Sequence, residues 1–411
     1  MSSSERRAGT DTDAVLGAIP QWVYSPKTTE EAREVVEATA AEGLSLGFIG
    51  GGTDLELGAP LRHLDALLRT GSLSKVVEYA PADMIVTVEA GTTLAQLSET
   101  LQQHRQRLPL DPPALDRATV GGVIAANSFG PRRARFGSVR DLLIGISIVR
   151  ADGTCARGGG KVVKNVAGFD IPKLMCGSLG TLGLIVTATF RLHPLPEMEK
   201  TVLVPSRNAA QVRALVARLK AGQLEPTSIV AFSAAAARFD VAVRFEGFGA
   251  GVTQQASRFA ELQQREGEPC EQLDDGDARA WWKKHDDART KGAVRAKIAA
   301  LPNALESILP KLEAVREHLV DSILLWYASL GLGFICGASG DLAAAARALA
   351  DARSALEKAN GSLTLQAAPQ SIREWIGEWG TPPPAFSVMH RLKERFDPQQ
   401  RLNPGRFVGG L

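Results

Sequence analysis

Histidine and cysteine, the side chains that most often bind metals, are few in this chain and far apart. Its 411 residues include four cysteines, Cys155, Cys176, Cys270 and Cys336, with no C-x-x-C pair. That scatter argues against a zinc site or an iron–sulfur cluster within the chain. The thiols read instead as reduced side chains packed as small hydrophobes. The six histidines, His63, His104, His193, His285, His318 and His390, include no two at ligand spacing, and each reads as an ordinary surface or capping residue. Long apolar runs are missing too. The best candidate, 322–338, is interrupted by Gly331 and Gly333 and contains Trp326-Tyr327, so it reads as a buried hairpin rather than a membrane span. With 47 basic and 45 acidic residues the net charge is only +2, which provides no general attraction to nucleic acid or to a membrane surface. Residues 1–13 are rich in Ser, Arg and Asp without an apolar core, and are expected to form a flexible tail rather than a secretion signal.

The chain is long enough for two domains, or for one large domain with an insertion. A helix is expected over 28–42, opened by Thr28 with Glu31 in a capping box and stopped by Gly43. An apolar strand over 44–49 follows, then strands over 75–79 and 84–89, a helix carrying Leu94, Leu97 and Leu101, and strands over 145–151 and 184–192. His193-Pro194-Leu195-Pro196 ends this run, because prolines cannot continue a ladder. Beyond it a β-α-β-β-α order occurs twice. The first pass covers 201–204, 209–220, 228–232, 241–245 and 253–264. After an acidic, Trp-containing interlude the second covers 294–299, 304–318, 323–328, 333–336 and 342–358, with a last strand over 363–366. Two such units imply a ferredoxin-like α+β cap with an antiparallel sheet and helices on one face. Pro382-Pro383-Pro384 reads as a stiff linker. The expected organisation is therefore a tail, 1–13; a ligand-binding domain, 14–197; a cap, 198–384; and a C-terminal segment, 385–411, that returns to the first domain.

What the chain does have is a series of glycine-rich turns. Gly50-Gly51-Gly52 follows the strand over 44–49 and leads into Thr53-Asp54. Such a turn can point several backbone N–H groups at one ligand and let the main chain approach it closely. Alone, it would read as a ligand-free surface turn. A second turn, Thr119-Val120-Gly121-Gly122, opens an apolar helix whose N-terminus, capped by Thr119, is expected to offer another set of N–H donors. Two anion-binding turns of this kind suggest a dinucleotide stretched between them. Neighbouring motifs fail as alternatives. Gly158-Gly159-Gly160-Lys161 lacks the first P-loop glycine, replaced by Cys155, and has Val162 where a magnesium-binding hydroxyl belongs. Gly331-Leu332-Gly333 has Cys336 where a Rossmann fingerprint needs its last glycine. These failures argue against NAD(P) and against an ATPase.

The order of the motifs resembles the FAD-linked oxidase superfamily with a vanillyl-alcohol-oxidase-type flavin domain, and within it the FAD-binding E subunits of bacterial glycolate oxidases. The matching pieces are Phe48-Ile49-Gly50-Gly51-Gly52-Thr53-Asp54-Leu55, Asp111-Pro112-Pro113, Ala118 to Asn127, Phe136-Gly137-Ser138-Val139-Arg140-Asp141, Lys164 to Asp170, Gly177 to Gly183, and Leu402-Asn403-Pro404-Gly405-Arg406. The resemblance implies a two-subdomain FAD-binding domain beneath an α+β cap. It implies FAD contacts at Gly50, Gly51, Gly52, Thr53, Asp54, Pro113, Thr119, Gly121, Gly122 and Asn403. Gly180, Gly183 and Ile185 would lie beside the adenine half, and Asn127, Ser128 and Gly130 near the flavin ring. Covalently flavinylated relatives carry a histidine directly after the three glycines; Thr53 stands there, so noncovalent FAD is expected.

Relatives that oxidise D-2-hydroxy acids carry a metal-binding histidine motif in the cap, which this chain lacks. No catalytic base is therefore named and no metal is expected. Arg373, Arg391 and Arg395 are the candidates for a carboxylate clamp. The resemblance implies an FAD subunit of a complex that converts glycolate to glyoxylate, beside a paralogous FAD-linked catalytic subunit and an iron–sulfur subunit. Such a complex would be cytoplasmic or peripheral at the inner face of the membrane. A self-sufficient FAD dehydrogenase and a flavin-free scaffold are the rivals. Gly51→Val and Gly122→Val are both expected to leave a soluble fold with weakened flavin retention.

Overall fold

Thr28 begins the first helix as its sequence requires. Its hydroxyl accepts from Glu31 N at 3.1 Å, and the Glu31 carboxylate accepts from Lys27 N at 2.7 Å, one residue before the cap. The resulting helix, Thr29–Ala41, buries Ala32, Val35, Val36 and Thr39 along one face. In the computed structural model, which describes residues 6–160, 168–235 and 238–411, the chain divides into two units. The first comprises residues up to Phe129, Gly137–Pro194 and Pro382–Leu411; the second comprises Gly130–Phe136 and Leu195–Thr381.

The first unit holds two main sheets. In one, β1 (Arg6–Ala8), β2 (Trp22–Tyr24), β3 (Leu46–Ile49) and β4 (Ala66–Arg69) lie in the order β1-β2-β4-β3. Strands β2, β4 and β3 are parallel. The other is built from β5 (Val76–Ala80), β6 (Ile85–Glu89), β8 (Leu143–Val149), β9 (Cys155–Gly159) and β10 (Leu184–Arg191), ordered β5-β6-β10-β8-β9 and antiparallel throughout. A short pair, β7 (Gln106–Arg107) with β11 (His193–Pro194), completes the unit. The glycine-rich β9 has no apolar alternation and is not foreseen from the sequence. It forms because all five of its residues pair with β8.

Residues 6–13 correct the expectation of a flexible tail over 1–13. Strand β1 pairs antiparallel with β2, and Asp13 is buried, accepting from Arg7 at 2.7 Å and from Arg69 at 2.7 Å. The hydrogen bond from Arg7, helped by Arg69 and Thr10, outweighs burial and holds the Asp13 carboxyl well below the usual carboxylate range. A carboxyl whose folded pKa is depressed stabilises the fold above its unfolded pKa, and that contribution is lost as the pH falls. Asp13→Asn should therefore lower the unfolding temperature at pH 7, and its deficit should begin to shrink below about pH 4. Thermal unfolding of both proteins across pH 2–7 checks this; a deficit independent of pH would remove the ion pair as its cause.

The second unit is organised by one eight-stranded antiparallel sheet. Its strands are β12 (Met198–Arg207), β13 (Ser228–Ala235), β14 (Arg238–Gly247), β15 (Glu271–Gln272), β16 (Val294–Ala299), β17 (Leu319–Tyr327), β18 (Leu332–Ser339) and β19 (Ser362–Ala367). Their order, β15-β12-β14-β13-β17-β18-β16-β19, reads as two ferredoxin-like units joined edge to edge by β13 and β17. Helices Ala209–Ala221, Gly249–Arg265, Leu305–Arg316 and Leu342–Lys358 bury their apolar stripes with Val202, Val243, Ile298 and Trp326 in one core.

The expectation that all helices share one face needs correcting. The interlude forms a further helix, Asp275–Thr290, capped by Asp274, whose carboxylate accepts from Asp277 N at 2.8 Å. It packs on the opposite face. Trp282 Nε1 donates to Thr201 at 3.0 Å, and His285 Nε2 lies 2.9 Å from the Tyr327 hydroxyl. Thr201 and Tyr327 alternate with the core residues Val202 and Trp326, as the two-residue period of a strand demands.

Candidate functional site

Strand β3 delivers the chain into Gly50-Gly51-Gly52 against the segment that precedes Thr119. Gly51 N donates to Thr119 Oγ at 3.4 Å. The N–H groups of Gly52, Thr53 and Asp54 have no acceptor among the described residues. Unpaired backbone donors of this kind are rare unless a ligand or water meets them. They edge an open cavity bounded by the glycine turn, the helix at Gly121-Gly122 and the chain's end.

Eleven of the sixteen expected contacts line that cavity: Gly50, Gly51, Gly52, Thr53, Asp54, Gly121, Gly122, Gly180, Gly183, Ile185 and Asn403. The other five do not. Thr119 lies beneath the wall, its hydroxyl accepting from both Gly51 N and Gly122 N. Ser128 hydrogen-bonds the Asp54 carboxylate, so it orients a wall residue. Asn127 ends the helix Val120–Ala126 in a left-handed conformation, φ +50°. Pro113 is half-buried off the wall, and Gly130 belongs to the Gly130–Phe136 segment of the second unit.

Two expectations change with the geometry. The helix at Thr119 does not offer free donors, because Val120 N, Gly121 N and Gly122 N bond Thr92 O at 2.9 Å, Ala90 O at 2.7 Å and Thr119 Oγ at 3.3 Å. Its contribution is a close wall of Gly121, Gly122, Ala125 and Ala126, with no side chain longer than a methyl group. The glycines also differ in what they avoid. A Cβ at Gly51 would lie 1.7 Å from the Arg117 carbonyl oxygen, and one at Gly50 would lie 2.2 Å from Thr119 Oγ. At Gly122 its nearest neighbour would be Thr119 Oγ at 3.1 Å, with no other atom within 4 Å. Gly51 is thus needed for packing, whereas Gly122 keeps the cavity wall bare.

The chain's end completes the wall. Asn403 Nδ2 donates to Leu179 O at 2.7 Å, and Phe48 N donates to Asn403 Oδ1 at 3.4 Å. Arg406, which also lines the cavity, donates to Leu55 O. Behind them the fully buried Lys393 donates to Asp397 at 2.6 Å, Thr181 O at 2.8 Å and Leu402 O at 3.0 Å. Burial pulls the Lys393 pKa down while Asp397 pushes it up. The sequence motif Leu402 to Arg406 could have flagged Arg406; nothing local flags Lys393.

The remaining expectations concern the cap and the middle of the chain. His285 is not a surface residue: it is wholly buried, and that burial lowers its pKa. Arg373 is no free clamp, since it is buried and donates to Ala368 O at 2.8 Å, with Glu378 3.4 Å away. Arg391 and Arg395 are exposed. Two arginines do face carboxylates in the second unit, Arg132 from the Gly130–Phe136 segment and Arg244 from β14. Arg132 forks onto buried Glu246 at 2.7 Å, and Arg244 lies 3.8 Å from Glu199. Burial pushes the Glu199 carboxyl up. Lys161, Val162 and the motif residues Lys164 to Ala167 lie outside the described residues. Among the described residues no three His, Cys, Asp or Glu side chains are grouped to hold a metal ion. No described helix is long and apolar enough to cross a membrane.

Residues 20–159 match the family model described as an FAD binding domain. The chain is 31% identical over 209 residues to glycolate oxidase subunit GlcE of Escherichia coli (strain K12), covering 50% of this chain and 56% of that protein. It is 29% identical over 212 residues to glycolate oxidase subunit GlcD of Bacillus subtilis (strain 168), covering 52% and 45%. The matched region thus spans about half the length of these relatives. Its fold is similar to that of p-cresol methylhydroxylase solved with substrate bound, with a TM-score of 0.74 and 14% identity, covering 95% of this chain and 89% of that one.

Proposed function

We propose that this chain, whose residues 20–159 match an FAD binding domain and which is similar to glycolate oxidase subunits, is the FAD-holding subunit of a complex that oxidises glycolate to glyoxylate. The observation that carries this reading is the cavity, whose edge presents three N–H groups unpaired among the described residues, beside a stretch of wall that Gly122 leaves without a side chain. Those features fit a dinucleotide. Gly52, Thr53 and Asp54 would meet its diphosphate, while Gly122 would let its body lie against the main chain. Bound there without a covalent bond, since Thr53 offers no attachment chemistry, FAD supplies two-electron redox chemistry. The protein's share is placement. Ser128 fixes the Asp54 carboxylate, Asn403 ties β3 to Leu179, and apolar Leu179, Leu184 and Ile185 keep water off the wall.

Dependence on a partner is favoured by the cap. Its fully buried histidine is engaged with Tyr327 and Asp286, and Arg132 and Arg244 are each paired with a carboxylate, Glu246 and Glu199. A paralogous FAD-linked subunit would then supply the hydroxy-acid site and an iron–sulfur subunit the electron exit, in the cytoplasm or at the inner membrane face. Anaerobic mixing of the flavin-loaded chain with glycolate or D-lactate tests this. The chain alone should leave the oxidised flavin band unchanged, and adding the paralogous subunit should bleach it. Rapid bleaching by the chain alone would replace this reading with a self-sufficient dehydrogenase.

A further inference from the structure

Arg406 and Asp54 are the two ionisable side chains on the cavity wall among the described residues. A diphosphate entering this space would meet the Asp54 carboxylate as a like charge, held in place by Ser128. Three N–H dipoles provide only partial positive charge, so a full cation nearby would strengthen the site. Arg406 is 5% exposed, and its guanidinium donates to Leu55 O at the end of the same turn that carries the unpaired N–H groups. Its backbone is held in register, because Ala59 N donates to Arg406 O at 3.0 Å and Arg62 N to Pro404 O at 2.9 Å.

Resting on the FAD reading of the cavity, we propose that Arg406 is a binding residue for the nucleotide's diphosphate, supplying the charge that the glycine turn cannot. The rival role is a purely structural clamp between the tail and Leu55. The two roles differ in what they discriminate. A diphosphate contact distinguishes ADP from adenosine, while a clamp affects both alike. The test uses full-length apo-protein, titrated with ADP and with adenosine by calorimetry or by competition with FAD. Arg406→Met, which keeps the packed stem, should weaken ADP about tenfold or more and leave adenosine unchanged. Arg406→Lys should recover part of the loss, since it restores charge without the two-pronged geometry. In the wild type, ADP affinity should also fall with salt while adenosine affinity does not, a comparison that stands even if Arg406→Met does not fold. Equal losses for ADP and adenosine, or no loss for ADP, would overturn the proposal. A wild-type chain that takes up no FAD at all would instead sink the reading of the cavity on which it rests.

Discussion

Gly51→Val should fail to give folded protein, whereas Gly122→Val should fold and be colourless. At Gly51 the added Cβ would sit 1.7 Å from the Arg117 carbonyl oxygen and 2.6 Å from its carbon. Both are backbone atoms, so neither can turn aside as a flexible side chain would. Relieving the overlap means parting the glycine turn from the segment that carries Thr119, and a displaced backbone of this kind belongs to the most destabilising class of substitutions. Gly122 lies inside the helix Val120–Ala126, where replacing glycine by alanine is ordinarily favourable by up to about 1 kcal/mol. Its only close contact would be Thr119 Oγ. A valine there extends into the cavity, on the surface proposed to lie against FAD. Circular dichroism and thermal unfolding report the fold, and the ratio of flavin to protein absorbance reports the cofactor. Full flavin stoichiometry in Gly122→Val would move FAD away from this wall. A well-folded Gly51→Val would show that the turn can shift, which the packing around it argues against.

Lys393→Met should cost about 3–5 kcal/mol, the usual result of leaving one member of a buried ion pair behind. Lys393 and Asp397 are both essentially inaccessible to solvent, and the ammonium satisfies Asp397, Thr181 O and Leu402 O together. Without it Asp397 keeps the N–H groups of Arg401 and Leu402, with the Arg401 guanidinium a remaining charge nearby. Neutralising the stranded carboxylate should recover most of the loss. The double variant Lys393→Met/Asp397→Asn is the right control, because an amide oxygen still accepts from those two N–H groups. Thr181 follows Gly180 and Leu402 precedes Asn403, both residues on the cavity wall. The single variant should therefore also release flavin faster than the double one. Denaturant unfolding and the flavin dissociation rate measure the two effects. Equal stability of the single and double variants would mean that the pair is not what holds the tail in place.

Much of the fold is legible because its elements carry their own signals. The periodicity over 294–299 and 342–358 reproduces β16 and its unit's last long helix residue for residue. Thr28 and Thr119 cap helices because a threonine hydroxyl reaches the N–H three residues on. Features that depend on a distant partner are silent in sequence. Strand β9 contains two glycines and no alternation; β8 makes it a strand. The helix Asp275–Thr290 is mostly polar, so its stripe of Trp282, His285 and Ala288 becomes evident only against the opposite face of the sheet.

By itself, the sequence determined the glycine turns, the helix caps and the doubled β-α-β-β-α order, since each rests on residues near one another in the chain, while the FAD reading followed from the resemblance carried by the order of the motifs. Tertiary structure alone decided which of the N–H groups remain available. Among the described residues those at Gly52, Thr53 and Asp54 are left unpaired, while those at Val120, Gly121 and Gly122 are taken by Thr92, Ala90 and Thr119. It also decided that Arg406, more than 340 residues from the turn by number, faces the same cavity. A backbone donor is free or spent according to which carbonyl the rest of the chain brings to it, and local sequence carries no record of that.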